Sequence, residues 1–317
     1  MDKRIYGELA IFSGNANPEL ARKICAYLGV PLRGIDVFEF PNENIFVKLH
    51  ESVRSQDVFL IQPTCAPVNR NIMELLIILD TLKRASAGRI TAVMPYFAYG
   101  RSDKKDQPRV PITARLMADM VGVAGADRFL TVDLHAGQIQ GFFSIPGDDL
   151  SAFSLLSEHF ARKAIPNAVV VTVDLGFAKK GRNFAERLHV PMAFVEKRRT
   201  GPKSQALTVI GDVRGKTAIV VDDEVDTAGS LTETVHILRE NGVQDVYASF
   251  PHAVFSPPAV ERLRTAGFKE IVTTDTIPIP NHKQLPNLTI LSLAPFLGEI
   301  IRRVHEGESV GAFLHDG

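Results

Sequence analysis

The segment VVDDEVDTAGSLTE, Val220 to Glu233, carries an apolar strand into two adjacent carboxylates, Asp222 and Asp223. A third follows at Asp226, and then Thr227, Ala228, Gly229 and Ser230 open a helix. Small residues at the head of a helix let backbone N–H groups close around a phosphate, and the hydroxyls of Thr227 and Ser230 add donors beside the helix N-terminus. The carboxylates just upstream cannot hold that phosphate. They suit the neighbouring hydroxyls of a ribose, or a metal bound by those hydroxyls. A plain surface turn with Asp226 as helix N-cap would explain an Asp-Thr pair. It does not explain three acids after a short apolar strand.

Working outward, short β-branched runs alternate with amphipathic stretches, the pattern of parallel sheets covered by helices. Strands are expected at 45–48, 58–62, 89–94, 129–132, 168–173, 192–195, 218–221, 246–250 and 270–274. Helices are expected at 18–28, 71–87, 113–122, 154–163, 176–188, 230–241 and 259–267. The stretch DVFLIQPTCAPVNRN with its following helix and strand is echoed by TAIVVDDEVDTAGSL with its own, an approximate internal repeat. The chain has 317 residues, about twice a usual domain. The least patterned connection, SIPGDDLSAF at 144–153, divides it into expected domains 1–150 and 151–317, with the last residues of the second open to packing back on the first. The acidic segment places the chemistry in the second.

With 36 basic and 36 acidic residues and 45% apolar content, the composition is that of an ordinary globular protein with no global field for nucleic acid or an anionic membrane. Purely apolar runs such as Leu75 to Leu79 fall far below the roughly 20 residues of a membrane span, and the start MDKRIYGEL lacks a signal core. A cytoplasmic location is therefore expected. Two cysteines, Cys25 and Cys65, have no metal-ligand spacing. GDVRGKT, Gly211 to Thr217, has three residues between its glycines where a phosphate loop needs four, and a strand follows it.

Four other segments hold candidate chemistry. Residues 95–115 gather Arg101, Lys104, Lys105, Arg109 and Arg115 among Gly100, Pro108 and Pro111, too interrupted for a helix before Ile112 and so a basic loop. VDLHAGQ sets His135 just past a strand end, where sheets of this class bind ligands. VEKRRTGPK follows a strand with Lys197, Arg198, Arg199 and Lys203; cations there could lie against transferring phosphate oxygens. In an extended strand Lys197 and Arg199 share one side and Arg198 takes the other. FPNEN offers Phe40, Asn42, Glu43 and Asn44, a weak signal for base stacking and hydrogen bonding, or a turn with its asparagines.

Taken in order, FSGNANPELA, FPNENIFVKLHESVR, MPYFAYGRSDKKD, VDLHAGQIQGFF, VTVDLGFAKK, VEKRR, VVDDEVDTAGS and RRVHEGESV resemble the ribose-phosphate pyrophosphokinases over almost the whole chain. The Asp222–Ser230 segment is similar to the phosphoribosyl-diphosphate motif of type I phosphoribosyltransferase folds. The resemblance implies two phosphoribosyltransferase-like α/β domains, each a mostly parallel sheet flanked by helices, and transfer of the β,γ-diphosphate of ATP to the 1-hydroxyl of ribose 5-phosphate. It implies ribose 5-phosphate binding by Arg199, Asp222, Asp223, Asp226, Thr227, Ala228, Gly229 and Ser230, and catalysis by Lys197 and Arg199. ATP would meet Phe40, Asn42, Glu43, Asn44, Arg101, Ser102, Asp103 and His135, and Mg²⁺ would be held by His135 and Asp174. It also implies a homo-oligomer, a hexamer built from dimers, in which FPNEN reaches a neighbouring subunit's adenine. Asn44, Ser102 and Gly311 depart from the family's usual glutamate, glutamine and serine. A base phosphoribosyltransferase would share the cradle but needs one domain only; a non-catalytic relative would lose the residues named here.

Overall fold

A run such as DVFLI, Asp57 to Ile61, is buried at every position, as befits a strand covered on both faces. The computed structural model describes residues 6–173, 176–199 and 205–314. They fold into two compact units: Met1–Ser151 with Thr276–Pro278 and Ser292–Gly317, and Ala152–Asp275 with Ile279–Leu291.

In the first unit the order is β1 (Leu9–Ser13), α1 (Pro18–Leu28), a hairpin of β2 (Ile35–Glu39) and β3 (Ile45–Leu49), β4 (Asp57–Ile61), α2 (Val68–Arg84), β5 (Arg89–Met94), α3 (Thr113–Ala124), β6 (Arg128–Val132) and β7 (Gly147–Leu150). The sheet runs β1-β4-β5-β6-β7, all parallel. One face packs on Leu75, Ile78, Leu79 and Leu82 of α2 and on Met117 and Val121 of α3.

The second unit holds α4 (Phe153–Lys163), β8 (Ala168–Thr172), α5 (Ala178–Leu188), β9 (Met192–Arg199), β10 (Gln205–Ile210), β11 (Thr217–Val221), β12 (Glu224–Val225), α6 (Gly229–Glu240), β13 (Val246–Ser249), β14 (His252–Ala253), α7 (Ala259–Thr265), β15 (Glu270–Thr274) and β16 (Leu288–Leu291). Its sheet order is β10-β9-β8-β11-β13-β15-β16, parallel except for β10 against β9. Alternate residues face opposite layers: Val169, Val171, Ala218 and Val220 pack with α6 and α7, whereas Val170, Ile219 and Val221 pack with α4 and α5. From β8 the chain steps outward to β9, then returns past β8 to β11 and continues the other way. The strand order therefore reverses between β8 and β11.

The last helix, α8 (Ala294–Glu306), returns to the first unit and packs on α1. Gly298 permits this approach, since a Cβ there would sit 2.5 Å from the Tyr27 ring. Its apolar positions Leu297, Ile300, Ile301 and Val304 have helical spacing, a signal overlooked in the sequence. The stretch 144–153, expected as an unpatterned connection, contains the edge strand β7. Two aspartates mask it: Asp148 pairs with Arg128, and Asp149 accepts the Leu134 N–H at 3.0 Å. No described helix is long and apolar enough to cross a membrane.

Candidate active site

At the end of β11, Val221 stands in register with Thr172 of β8 and Ser249 of β13. The Asp222 N–H extends the ladder to the Ser249 carbonyl at 3.2 Å, and Asp223 N–H donates to Asp222 Oδ1 at 3.0 Å. Next, β12 pairs with β14, and Phe255 N–H donates to Val225 O at 3.0 Å. The segment thus leaves the sheet edge as a held loop. Asp223 is buried, Asp222 and Asp226 are half-buried, and Thr227 and Ser230 are exposed.

Helix α6 begins at Gly229, and Ala228, not Asp226, occupies its N-cap position. Ala228 is left-handed at φ 60°, and no side chain caps the helix there. The simpler reading of this segment as an Asp226-capped turn therefore fails. A non-glycine residue in this conformation costs roughly 1–2 kcal/mol and persists where its surroundings over-determine it, a feature that clusters at ligand loops. Thr232 Oγ1 turns back to the carbonyls of Ala228 and Gly229 at 2.9 and 3.0 Å. From the neighbouring helix α7, Arg262 Nη1 donates to the Thr227 carbonyl at 3.0 Å.

The ladder between β8 and β9 ends at Thr172 opposite Phe194, and β9 continues beyond it against β10. Lys197 and Arg199 lie on that extension, opposite Leu207 and Gln205. Their side chains lie outside the described part of the molecule. Asp174, two residues past β8, lies outside the described residues.

In the first unit, Arg101, Ser102 and Asp103 follow β5, and His135 follows the adjacent β6. The two loops touch: a Cβ on Gly100 would lie 3.4 Å from the His135 Cβ. Asp103, buried, accepts from Gln138 Nε2 at 2.7 Å, and Ser102 Oγ accepts the Thr113 N–H of α3 at 3.3 Å. His135 and Arg101 are exposed. These four residues therefore share one sheet edge. The expectation of a basic loop up to residue 112 agrees with α3 starting at Thr113, with Ser102 tied to that start.

Phe40, Asn42, Glu43 and Asn44 form the tip of the β2–β3 hairpin. Phe40 N–H donates to Asn44 O at 2.9 Å and Asn44 N–H to Asn42 Oδ1 at 3.2 Å, with Glu43 left-handed at φ 65°. Asn42 is thus a turn former. One hairpin face packs Val37 and Val47 against the core, and the other exposes Phe38, Phe40 and Phe46 as a mutual aromatic cluster with centroids 5.0 to 5.8 Å apart. The hairpin is anchored to α2 by the Arg70–Glu39 ion pair at 2.9 Å.

Residues 9–125 match the family model described as the N-terminal domain of ribose phosphate pyrophosphokinase, and residues 198–315 match the phosphoribosyl synthetase-associated domain. The ribose-phosphate pyrophosphokinase of Caldanaerobacter subterraneus subsp. tengcongensis is 48% identical over 311 residues, covering 97% of this chain and 98% of that one. This chain belongs to the ribose-phosphate pyrophosphokinase family. The pyrophosphokinase of Oceanobacillus iheyensis is likewise 48% identical, over 95% of this chain and 96% of its own. Among solved structures, the phosphoribosylpyrophosphate synthetase of Mycobacterium smegmatis matches with a TM-score of 0.91 at 44% identity, over 95% of this chain and 100% of that one. Both units thus have the sheet-and-helix build expected of a ribose-phosphate pyrophosphokinase. Gln138 and Arg262, which contact candidate site residues of this chain, escaped the sequence reading. Gln138 stood beside His135 in VDLHAGQ, but Arg262 lies 35 residues from its partner and no local motif marks it.

Proposed function

We propose that this chain transfers the β,γ-diphosphate of ATP to the 1-hydroxyl of ribose 5-phosphate, with the second unit holding the sugar phosphate and the first unit supplying the nucleotide contacts. The observation that carries this reading is the position of the Asp222–Ser230 segment. It leaves β11 at the carboxyl end of the sheet, where the strand order reverses, and ligands of open α/β sheets bind in that crevice. The strained turn at Ala228 and the helix start at Gly229 direct donors to the 5-phosphate, as do the exposed Thr227 and Ser230. Asp222, Asp223 and Asp226 receive the ribose hydroxyls.

The 1-hydroxyl oxygen attacks the β-phosphorus in line and its proton passes to solvent. The bond from that phosphorus to the α,β-bridging oxygen breaks, and AMP leaves with the electron pair. Positioning and charge supply most of the rate in such transfers, and Lys197 and Arg199 provide cations on the β9 extension. Arg101, Ser102, Asp103 and His135 contact ATP from their common sheet edge, and Phe40, Asn42, Glu43 and Asn44 from the hairpin. The exposed cluster of Phe38, Phe40 and Phe46 supports a homo-oligomer in which that hairpin serves a neighbouring copy; the resemblance implies a hexamer built from dimers.

The metal would be Mg²⁺, with His135 and Asp174 as the residues that would hold it. The His135 imidazole is exposed, and a carboxylate is the oxygen donor this ion takes, one or two protein ligands being its usual number, so the residue types fit. When bound, the ion would neutralise polyphosphate charge. The test is AMP release from ATP: it should require both ribose 5-phosphate and Mg²⁺ and yield a sugar that carries a 1-diphosphate beside its 5-phosphate. Release of ADP, or of AMP without the sugar, would refute the assignment.

A further inference from the structure

The cradle around Ala228 is held from outside by a residue with no place in the sequence motif. Helix α7 is fixed by its buried side: Ala259 and Leu263 enter the same core as Leu231 and Val235 of α6. The segment leading into α7 is tied to the loop itself, since β14 pairs with β12 and Phe255 N–H donates to Val225 O at 3.0 Å. Arg262 projects from the exposed side of this anchored helix, and its Nη1 donates to the Thr227 carbonyl at 3.0 Å. The same atom would lie 3.3 Å from a Cβ on residue 229, so glycine there leaves room for the guanidinium.

A trans peptide is planar, with its C=O and N–H on opposite sides. Holding the Thr227 carbonyl toward Arg262 therefore directs the Ala228 N–H away from it and sets the orientation of the 227–228 peptide. That peptide enters Ala228, whose left-handed φ of 60° needs support from its surroundings. We infer that Arg262 is a positioning residue for ribose 5-phosphate: it fixes the 227–228 peptide so that the loop's donors are already arranged when the phosphate arrives. This rests on the assignment of the Asp222–Ser230 segment to ribose 5-phosphate. Preorganised donors bind without the cost of ordering the loop, so the effect falls on sugar phosphate affinity rather than on the transfer step.

The experiment compares Arg262→Ala, Arg262→Lys and Asp226→Ala in the full chain. Binding of ribose 5-phosphate and of ATP is measured separately by calorimetry, together with the KM and kcat of AMP release. Loss of one charge-assisted hydrogen bond corresponds to about a tenfold change. R262A is expected to raise the Kd and KM for ribose 5-phosphate about tenfold, with ATP Kd and Tm unchanged and the change in kcat smaller than that in KM. R262K, which keeps one donor, should fall between R262A and the parent. If D226A weakens ribose 5-phosphate binding while R262A stays within twofold of the parent, the positioning role is wrong and the cradle stands. Retention of affinity by both variants would overturn the cradle assignment and the positioning role together. Equal losses for ATP and ribose 5-phosphate, with a lowered Tm, would mean that Arg262 only supports the fold.

Discussion

Asp57 should be among the most sensitive surface-remote positions of the first unit, because its carboxylate is fully buried and holds three elements together. Arg89 meets it with two hydrogen bonds, Nε to Oδ1 at 2.8 Å and Nη2 to Oδ2 at 2.6 Å, and His305 Nδ1 lies 2.8 Å from Oδ2. Arg89 Nη2 also donates to the Val304 carbonyl at 3.0 Å, so β4, β5 and the end of α8 converge on one charge. Removing one partner of a buried ion pair costs about 3–5 kcal/mol, because the other charge is left uncompensated. The Arg89 side chain is 15% exposed, and in Asp57→Asn the amide keeps one acceptor, so the low end applies: about 3 kcal/mol. With an m-value of about 2 kcal/mol/M in urea, the midpoint should fall by about 1.5 M. Tyrosine fluorescence reports this unit well. The chain has no tryptophan, Tyr6, Tyr27, Tyr96 and Tyr99 all belong to it, and the Tyr6 ring lies 4.3 Å from the Arg89 guanidinium carbon. D57N combined with Arg89→Met removes both charges and should recover about 2 kcal/mol relative to the sum of the single changes. A midpoint shift below about 0.5 M in D57N, or strict additivity in the double variant, would refute the reasoning.

Two further outcomes follow from charge and burial. Lys197→Ala should lower kcat by at least about 100-fold with little change in substrate KM, as for other transition-state charge contacts, and steady-state kinetics within about threefold of the parent would remove it from the mechanism. Burial pushes the Cys25 thiol up from 9.0 to about 11, so between those values the unfolded chain releases a proton that the folded chain keeps. This contribution is fully present below pH 9 and is lost as pH rises through the folded value, on the order of 2 kcal/mol in all. In denaturant titrations the stability of the parent should fall by about this amount more than that of Cys25→Ala as pH rises across that window, and equal falls would count against it.

Sequence alone determined the α/β class and most of the strands and helices, because buried strands such as DVFLI and TAIVV and amphipathic helices such as Pro18–Leu28 leave a local periodic record. It also marked the acidic segment after β11, since a small-residue turn between strand and helix is written in consecutive residues. Edge strands were harder to see: β7 carries two aspartates, and alternate residues of β2 face outward, so neither shows a continuous apolar run. Tertiary structure alone decided the rest. The reversal between β8 and β11 that makes a crevice of the acidic loop depends on strand order, which no local pattern encodes. The contacts that fix particular groups are just as distant: His305 of α8 meets Asp57, 248 residues away, and Arg262 holds the Thr227 carbonyl, 35 residues away. Such contacts form only after the sheets have packed, because what brings their partners together is the burial of whole faces rather than any preference of the residues themselves.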